Sequence, residues 1–157
     1  MSFAARLALG DEHEHRVRYE LEARGWEVTP WGQAILPEQS RRVLRAFRFR
    51  HFPDLLATRP GECIAIDAKD RMRSSGTGRY AVARECVSFG LQFVAAFGIP
   101  VYYVFGNLGT LCPTEVMSYG RIGPRASGSG AYYLVSDRIA HHFEDVFGQP
   151  DHRSAAA

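Results

Sequence analysis

Apolar positions recur at helical spacing near the start of the chain and at strand spacing in its middle, and these two periods divide it into elements. Over residues 3 to 24, Leu7, Gly10, Glu14, Val17 and Leu21 fall three or four apart, the repeat of one helix face, and Gly25 suits the left-handed position that ends a helix. Residues 26 to 31 read as a first strand, halted by Pro30 and Gly32. Residues 33 to 46 form a connection with a short helix after Pro37. Phe47-Arg48-Phe49-Arg50 alternates strictly and predicts a strand leading to Asp54.

From Phe52 to Lys69, two short runs of β-forming residues flank Arg59-Pro60-Gly61-Glu62. Proline presets φ there and glycine accepts positive φ, so the stretch predicts a β-hairpin. Residues 79 to 97 predict a second helix with Val82, Cys86, Phe89, Phe93 and Phe97 as its buried stripe. Gly98-Ile99-Pro100 ends it, and Val101 to Phe105 is a continuous apolar run of the kind found in buried strands. Between Gly106 and Gly130 the chain is irregular and glycine-rich, leaving an Ω-like loop and a hairpin both open. Residues 131 to 135 predict a late strand and 137 to 147 a closing helix. The whole reads as one domain over 1–147 with a flexible tail over 148–157, and no repeat is visible.

Composition changes this picture little. With 157 residues, 46% hydrophobic, the chain can bury the core of one globular domain. It contains no run of eighteen apolar residues and no recognisable leader, so no membrane partner is expected and a cytoplasmic location is. Cys63, Cys86 and Cys112 are odd in number and lack metal-ligand spacing, which predicts reduced thiols. The net charge of +2 is too small to name a partner.

The chemistry concentrates on the hairpin. If its turn centres on Pro60-Gly61, residues whose numbers sum to 121 face each other, and Asp54 stands opposite Asp67. The strand period puts Cys63, Ala65, Asp67 and Lys69 on one face and Ile64, Ile66 and Ala68 on the other, so two carboxylates and an ammonium converge at one end. Lys69 is also the only lysine among 19 basic residues, a hint that this position wants a compact point charge rather than a planar fork. Glu14 alone among the acids of the first helix sits on its apolar stripe. A carboxylate there needs a partner, either a metal shared with Asp54 and Asp67 or an arginine.

Pro53-Asp54 and Asp67-Ala68-Lys69 resemble the signature of the PD-(D/E)xK nuclease superfamily. Gly10, Glu14, Leu21 and Gly25-Trp26 add the pattern of the first helix of archaeal-type Holliday junction resolvases, and the resemblance spans roughly residues 10 to 105. It implies an α/β restriction-endonuclease-like core, a central mixed sheet of four to five strands flanked by helices. The implied activity is that of a metal-dependent deoxyribonuclease acting on branched or structured DNA. Asp54, Asp67 and the Ala68 carbonyl would hold Mg²⁺, with Mn²⁺ able to substitute, Glu14 would complete the acidic cluster, and Lys69 would orient and activate the attacking water. Two acids on adjacent strands suit a hard cation that keeps several waters beside a phosphate. A homodimer is implied by the need for two cuts at a symmetric junction. The chain departs from those resolvases in having aspartate and alanine at Asp67-Ala68, where glutamate and valine are common, and Gly32-Gln33 where they carry glycine and serine.

Arg41, Arg42, Arg45, Arg48 and Arg50 form the densest cationic stretch, which suits a phosphate-contacting surface and equally a solvated face paired with nearby acids. Arg71 and Arg73 lie in a polar loop after Lys69 that suits closure over a DNA backbone phosphate and also a plain connector; it lacks P-loop spacing, so no nucleotide cofactor is expected. Glu85 and Gln92 lie at the edge of the second helix's stripe as further polar candidates. His13 with His15, and His141 with His142, lack the spacing of metal pairs. The competing functional readings are restriction-type or end-dependent cleavage, and a DNA-binding protein with this fold and no catalysis.

Overall fold

A computed structural model describes residues 3–37, 39–40, 43, 51–69, 77–123 and 131–151. The chain opens with α1 (Phe3–Glu22) and β1 (Glu27–Pro30), joined through Gly25 at φ 78°. A 3-10 turn follows at Gly32–Ile35. Gln39, Ser40 and Val43 are helical, in line with a short helix after Pro37. The strand expected over Phe47 to Arg50 lies outside the described residues, as do Arg41, Arg42, Arg45, Arg48, Arg71 and Arg73.

β2 (Leu55–Arg59) and β3 (Glu62–Lys69) form the expected hairpin around Pro60-Gly61, with Gly61 at φ 80°. Leu55 faces Ile66 and Arg59 faces Glu62, the register expected from the turn. β1 pairs antiparallel with β2, completing a three-stranded meander.

Residues 80 to 83 do not open the second helix. They form β4 (Tyr80–Ala83), and α2 begins only at Arg84 and runs to Phe97. Tyr80 and Val82 are buried and alternate with partly exposed alanines, a period of two that satisfies a strand as well as Val82 satisfied a helix stripe. Pairing with a late strand decided between them. Cys86 and Phe93 face the core as expected, whereas Phe97 is mostly exposed. Gly98 caps α2 in the left-handed conformation, its N–H donating to the Val94 carbonyl.

β5 (Val101–Phe105) lies parallel to β3, with Asp67 beside Tyr103 and Lys69 beside Phe105. The undecided stretch after it holds β6 (Thr110–Leu111), α3 (Pro113–Tyr119) and β7 (Arg121–Ile122). β8 (Tyr132–Val135) joins β4 and β7 in a three-stranded sheet. The expected closing helix is shorter than 137 to 147. A 3-10 turn at Asp137–Ile139 and a bridge between Thr110 and His141 precede α4 (Phe143–Phe147). Beyond it, Asp151 N–H donates to the Ala23 carbonyl, tying this segment to the end of α1.

The main sheet is mixed and five-stranded in the order β1-β2-β3-β5-β6, with helices on both faces. Ile64, Ile66 and Val104 pack with Val17 and Leu21 of α1 and with Phe143 and Phe147. Ala65, Val101, Tyr103 and Phe105 pack on the other face with Cys86, Val87 and Phe93 of α2. Strand alternation therefore sends Asp67 and Lys69 toward α2 while their neighbours face α1. Among the described residues no helix is long and apolar enough to cross a membrane.

Candidate functional site

The candidate site lies where β3 and β5 end side by side. Asp54 is held there by its own backbone: its N–H donates to the Ile66 carbonyl at 2.8 Å, and its carbonyl accepts from Trp31 N–H at 2.7 Å. The paired ladder ends at Leu55 and Ile66, and Asp54 lies just past it, near enough to Asp67 for that charge to act on its carboxyl. Phe52 fixes the approach by making edge contacts with Trp31 (4.7 Å between ring centroids) and Phe93 (5.7 Å). Such aromatic pairs each contribute about 0.5–1.5 kcal/mol beyond burial.

The two acids are secured differently. Asp54 Oδ2 accepts the backbone N–H of Ala68 at 2.8 Å. Asp67 is buried; its Oδ1 meets Lys69 Nζ at 2.6 Å, and its Oδ2 accepts from the Cys86 thiol at 3.2 Å. Lys69 Nζ also lies 5.7 Å from the centroid of the Tyr103 ring, and the Tyr103 hydroxyl donates to the Cys86 carbonyl at 3.1 Å. Cys86 thus ties α2 to both β3 and β5 by hydrogen bonds.

Burial pushes the Asp54 carboxyl well above the usual carboxylate range, and the charge of Asp67 pushes it further, against the opposing pull of Lys69 and the Ala68 amide. Glu14 raises it slightly more, so α1 brings Glu14 within electrostatic reach of the pair across the end of the sheet. Lys69 also loses solvation, which disfavours its charge, but Asp67, Cys86 and Asp54 more than offset this and hold the ammonium above its ordinary value. In this arrangement Lys69 is a fixed cation. The Cys86 thiol is pushed up to about 12, first by burial and then by Asp67, so it stays a protonated donor.

Among the described residues, no group of three or more His, Cys, Asp and Glu side chains is placed to hold a metal ion. The pair Asp54 and Asp67 nevertheless suits a hard divalent cation. Mg²⁺ is commonly held by one or two carboxylates and keeps its remaining waters, and two neighbouring acids of which one resists ionisation gain from a cation beside them. The donor set fits a partly hydrated ion rather than an all-protein cage.

Other sequence candidates separate from this cluster. Glu85 Oε2 meets His51 Nε2 at 3.3 Å at the mouth of α2, and Gln92 Nε2 donates to Ser88 Oγ on the helix surface. His13 is buried and its Nε2–H donates to the Val104 carbonyl at 3.0 Å, whereas His15 is exposed. His141 pairs with Glu115, whose other oxygen accepts the Cys112 N–H that starts α3. Cys63, Cys86 and Cys112 are all unlinked.

Two contributors escaped the sequence reading. Cys86 looked like one more small hydrophobe on a helix stripe, and Tyr103 like part of a buried run. No pattern in the sequence marks them: the burial of Asp67, which calls for donors on its α2-facing side, is a property of the folded chain.

The architecture defines a restriction-endonuclease-like α/β fold. Among solved structures the chain is similar to that of Hjc, a Holliday junction resolvase from the archaeal hyperthermophile Archaeoglobus fulgidus. The match has a TM-score of 0.57 and 13% identity, and covers 89% of this chain and 96% of that one. No protein-family profile matches the sequence, and no curated protein matches it.

Proposed function

We propose that this chain is a Mg²⁺-dependent deoxyribonuclease that cuts branched or otherwise structured DNA, acting as a cytoplasmic homodimer. The observation that carries this reading is the closeness of Asp54 and Asp67 at the end of the hairpin, with Lys69 Nζ 2.6 Å from Asp67 Oδ1. The likeness in fold to the archaeal resolvase supports DNA as the substrate and a second subunit as the means of cutting both strands.

Asp54, Asp67 and the Ala68 carbonyl would hold the metal, with Glu14 adding negative charge beside them. When bound, Mg²⁺ supplies Lewis-acid polarisation of a phosphoryl oxygen and lowers the pKa of a bound water. Lys69, kept cationic by Asp67 and Asp54, would orient an attacking water and stabilise the charge on the phosphate, rather than accept the water's proton. The Tyr103 ring beneath the ammonium limits where Nζ can go. Arg41, Arg42, Arg45, Arg48, Arg71 and Arg73, which lie outside the described residues, are the cations proposed to contact phosphates.

The test is cleavage of a four-way junction, a matched duplex and single-stranded DNA with Mg²⁺ by the wild type, Asp67→Asn and Lys69→Ala. The expected result is cutting by the wild type, strongest on the junction, with both variants binding DNA and cutting nothing. A wild type that binds DNA but cuts none of the three with Mg²⁺ or Mn²⁺ overturns the nuclease reading in favour of a DNA-binding protein.

A further inference from the structure

We infer that Cys86 is a positioning residue for the metal-binding carboxylate: its thiol holds Asp67 Oδ2, so that a cation meets Asp67 through Oδ1, the oxygen that also carries Lys69 Nζ. This rests on the proposed function and adds to it a residue that acts only through Asp67.

Each acid of the pair has its Oδ2 engaged by a neutral donor of the protein, Asp54 by the Ala68 amide and Asp67 by the Cys86 thiol. Both constraints leave Oδ1 as the oxygen turned to other use, and on Asp67 that atom already carries Lys69. A thiol or amide on one oxygen weakens that oxygen as a ligand and biases the carboxylate toward binding through the other. That favours the small octahedral Mg²⁺ over a larger ion such as Ca²⁺, which accepts both oxygens of one carboxylate.

The thiol is well placed for this work. Cys86 is 4% exposed, in the first turn of α2, so solvent does not compete for its hydrogen. Its backbone is fixed independently by the Tyr103 hydroxyl, which comes from the strand beside Asp67. Tyr103 reaches it only because position 90 on α2 is glycine: a Cβ there would lie 2.8 Å from the hydroxyl oxygen. The donor is also neutral. A second cation at this point would compete with Lys69 and with the metal, whereas a thiol orients the carboxylate and leaves its charge in place.

The experiment compares wild type, Cys86→Ser, which keeps a donor, and Cys86→Val, which fills the space without one. Mg²⁺ and Ca²⁺ affinities are measured by calorimetry on the DNA-free protein, with circular dichroism to confirm folding. The infrared S–H stretch of Cys86, identified by its loss in Cys86→Ser, is recorded in the wild type and in Asp67→Asn. The expected result is an S–H band that moves when Asp67 is changed. Mg²⁺ affinity should fall about tenfold in Cys86→Val, with the Mg²⁺ to Ca²⁺ ratio shifting toward Ca²⁺, and Cys86→Ser should return most of the loss. An unmoved S–H band, or a folded Cys86→Val with wild-type affinities for both ions, overturns the role of Cys86 while leaving the nuclease reading intact. A wild type that binds neither ion overturns both.

Discussion

Gly32 and Pro53 meet backbone to backbone: with Gly32 at φ 60°, a Cβ at that position would lie 2.5 Å from the Pro53 carbonyl oxygen. The contact sits one residue from Asp54 and beside the bond from Trp31 N–H to the Asp54 carbonyl. Gly32→Ala therefore strains the left-handed backbone by roughly 1–2 kcal/mol and pushes Pro53 away as well. We expect lower stability in urea and a loss of cleavage larger than the loss of folded protein explains. A variant with both properties at wild-type level would show that this contact does not set Asp54.

Asp54 makes a pH prediction with a definite sign. Its carboxyl is raised by burial and by Asp67, so the folded chain keeps that proton to higher pH than the unfolded chain does. Stability of the metal-free protein then declines as pH rises from the ordinary aspartate range, about 4, through the displaced value. Asp54→Asn removes this decline, because the amide oxygen still accepts the Ala68 N–H. Urea unfolding in EDTA should find the variant at least as stable as wild type near neutral pH, with the difference vanishing in acid. The same variant should not cut DNA.

Glu14→Gln separates an acid of the site from an ordinary helix residue. Its charge reaches Asp54 across the end of the sheet. Mg²⁺ affinity is expected to fall about tenfold with little change in the unfolding midpoint. An unchanged calorimetric titration would remove Glu14 from the cluster.

His13→Leu addresses the fold rather than the chemistry. It leaves the Val104 carbonyl buried without its side-chain donor, at a cost of about 1–3 kcal/mol. The shift should appear in the urea midpoint, and Mg²⁺ affinity should stay within a few-fold of wild type. A variant as stable as wild type would mean that the carbonyl finds another partner.

Gly90→Ala tests the close approach of α2 to its neighbours. The added methyl meets the Tyr103 hydroxyl and Pro113 Cγ, each at 2.8 Å. Overpacking of this kind costs about 1–3 kcal/mol. Here it should also weaken Mg²⁺ binding, because Tyr103 fixes Cys86; full stability with full affinity would contradict both.

Local patterns carried much of this fold. The hairpin register followed from Pro60-Gly61 and brought Asp54 near Asp67, although the paired ladder stops at Leu55 and Ile66. α1, β1 and β5 also lie close to where their periodicity and punctuation put them. The misreadings arose where a local pattern was ambiguous and a distant strand decided. Val82 fits a helix stripe and a strand equally, and only pairing with Tyr133 on β8 distinguishes them. Glu14 looked core-facing, but among the residues of α1 from Glu12 onward the buried positions are His13, Val17 and Leu21, with Glu14 half-buried beside them. The Cys86 contact was illegible for the same reason: it joins a helix to a strand across the sheet face, and neither segment announces the other.

The short path along the chain between the two acids has a kinetic meaning. Asp54 and Ala68 are bonded at a sequence separation of 14, and Lys69 arrives on the same strand as Asp67. A hairpin of this kind closes in about 1–10 μs, far ahead of pairings that wait for distant segments. The like charges that oppose each other and the cation that offsets them are thus brought together in one early event. The repulsion of the acid pair is answered within the hairpin, before β5 or α2 has to dock against it.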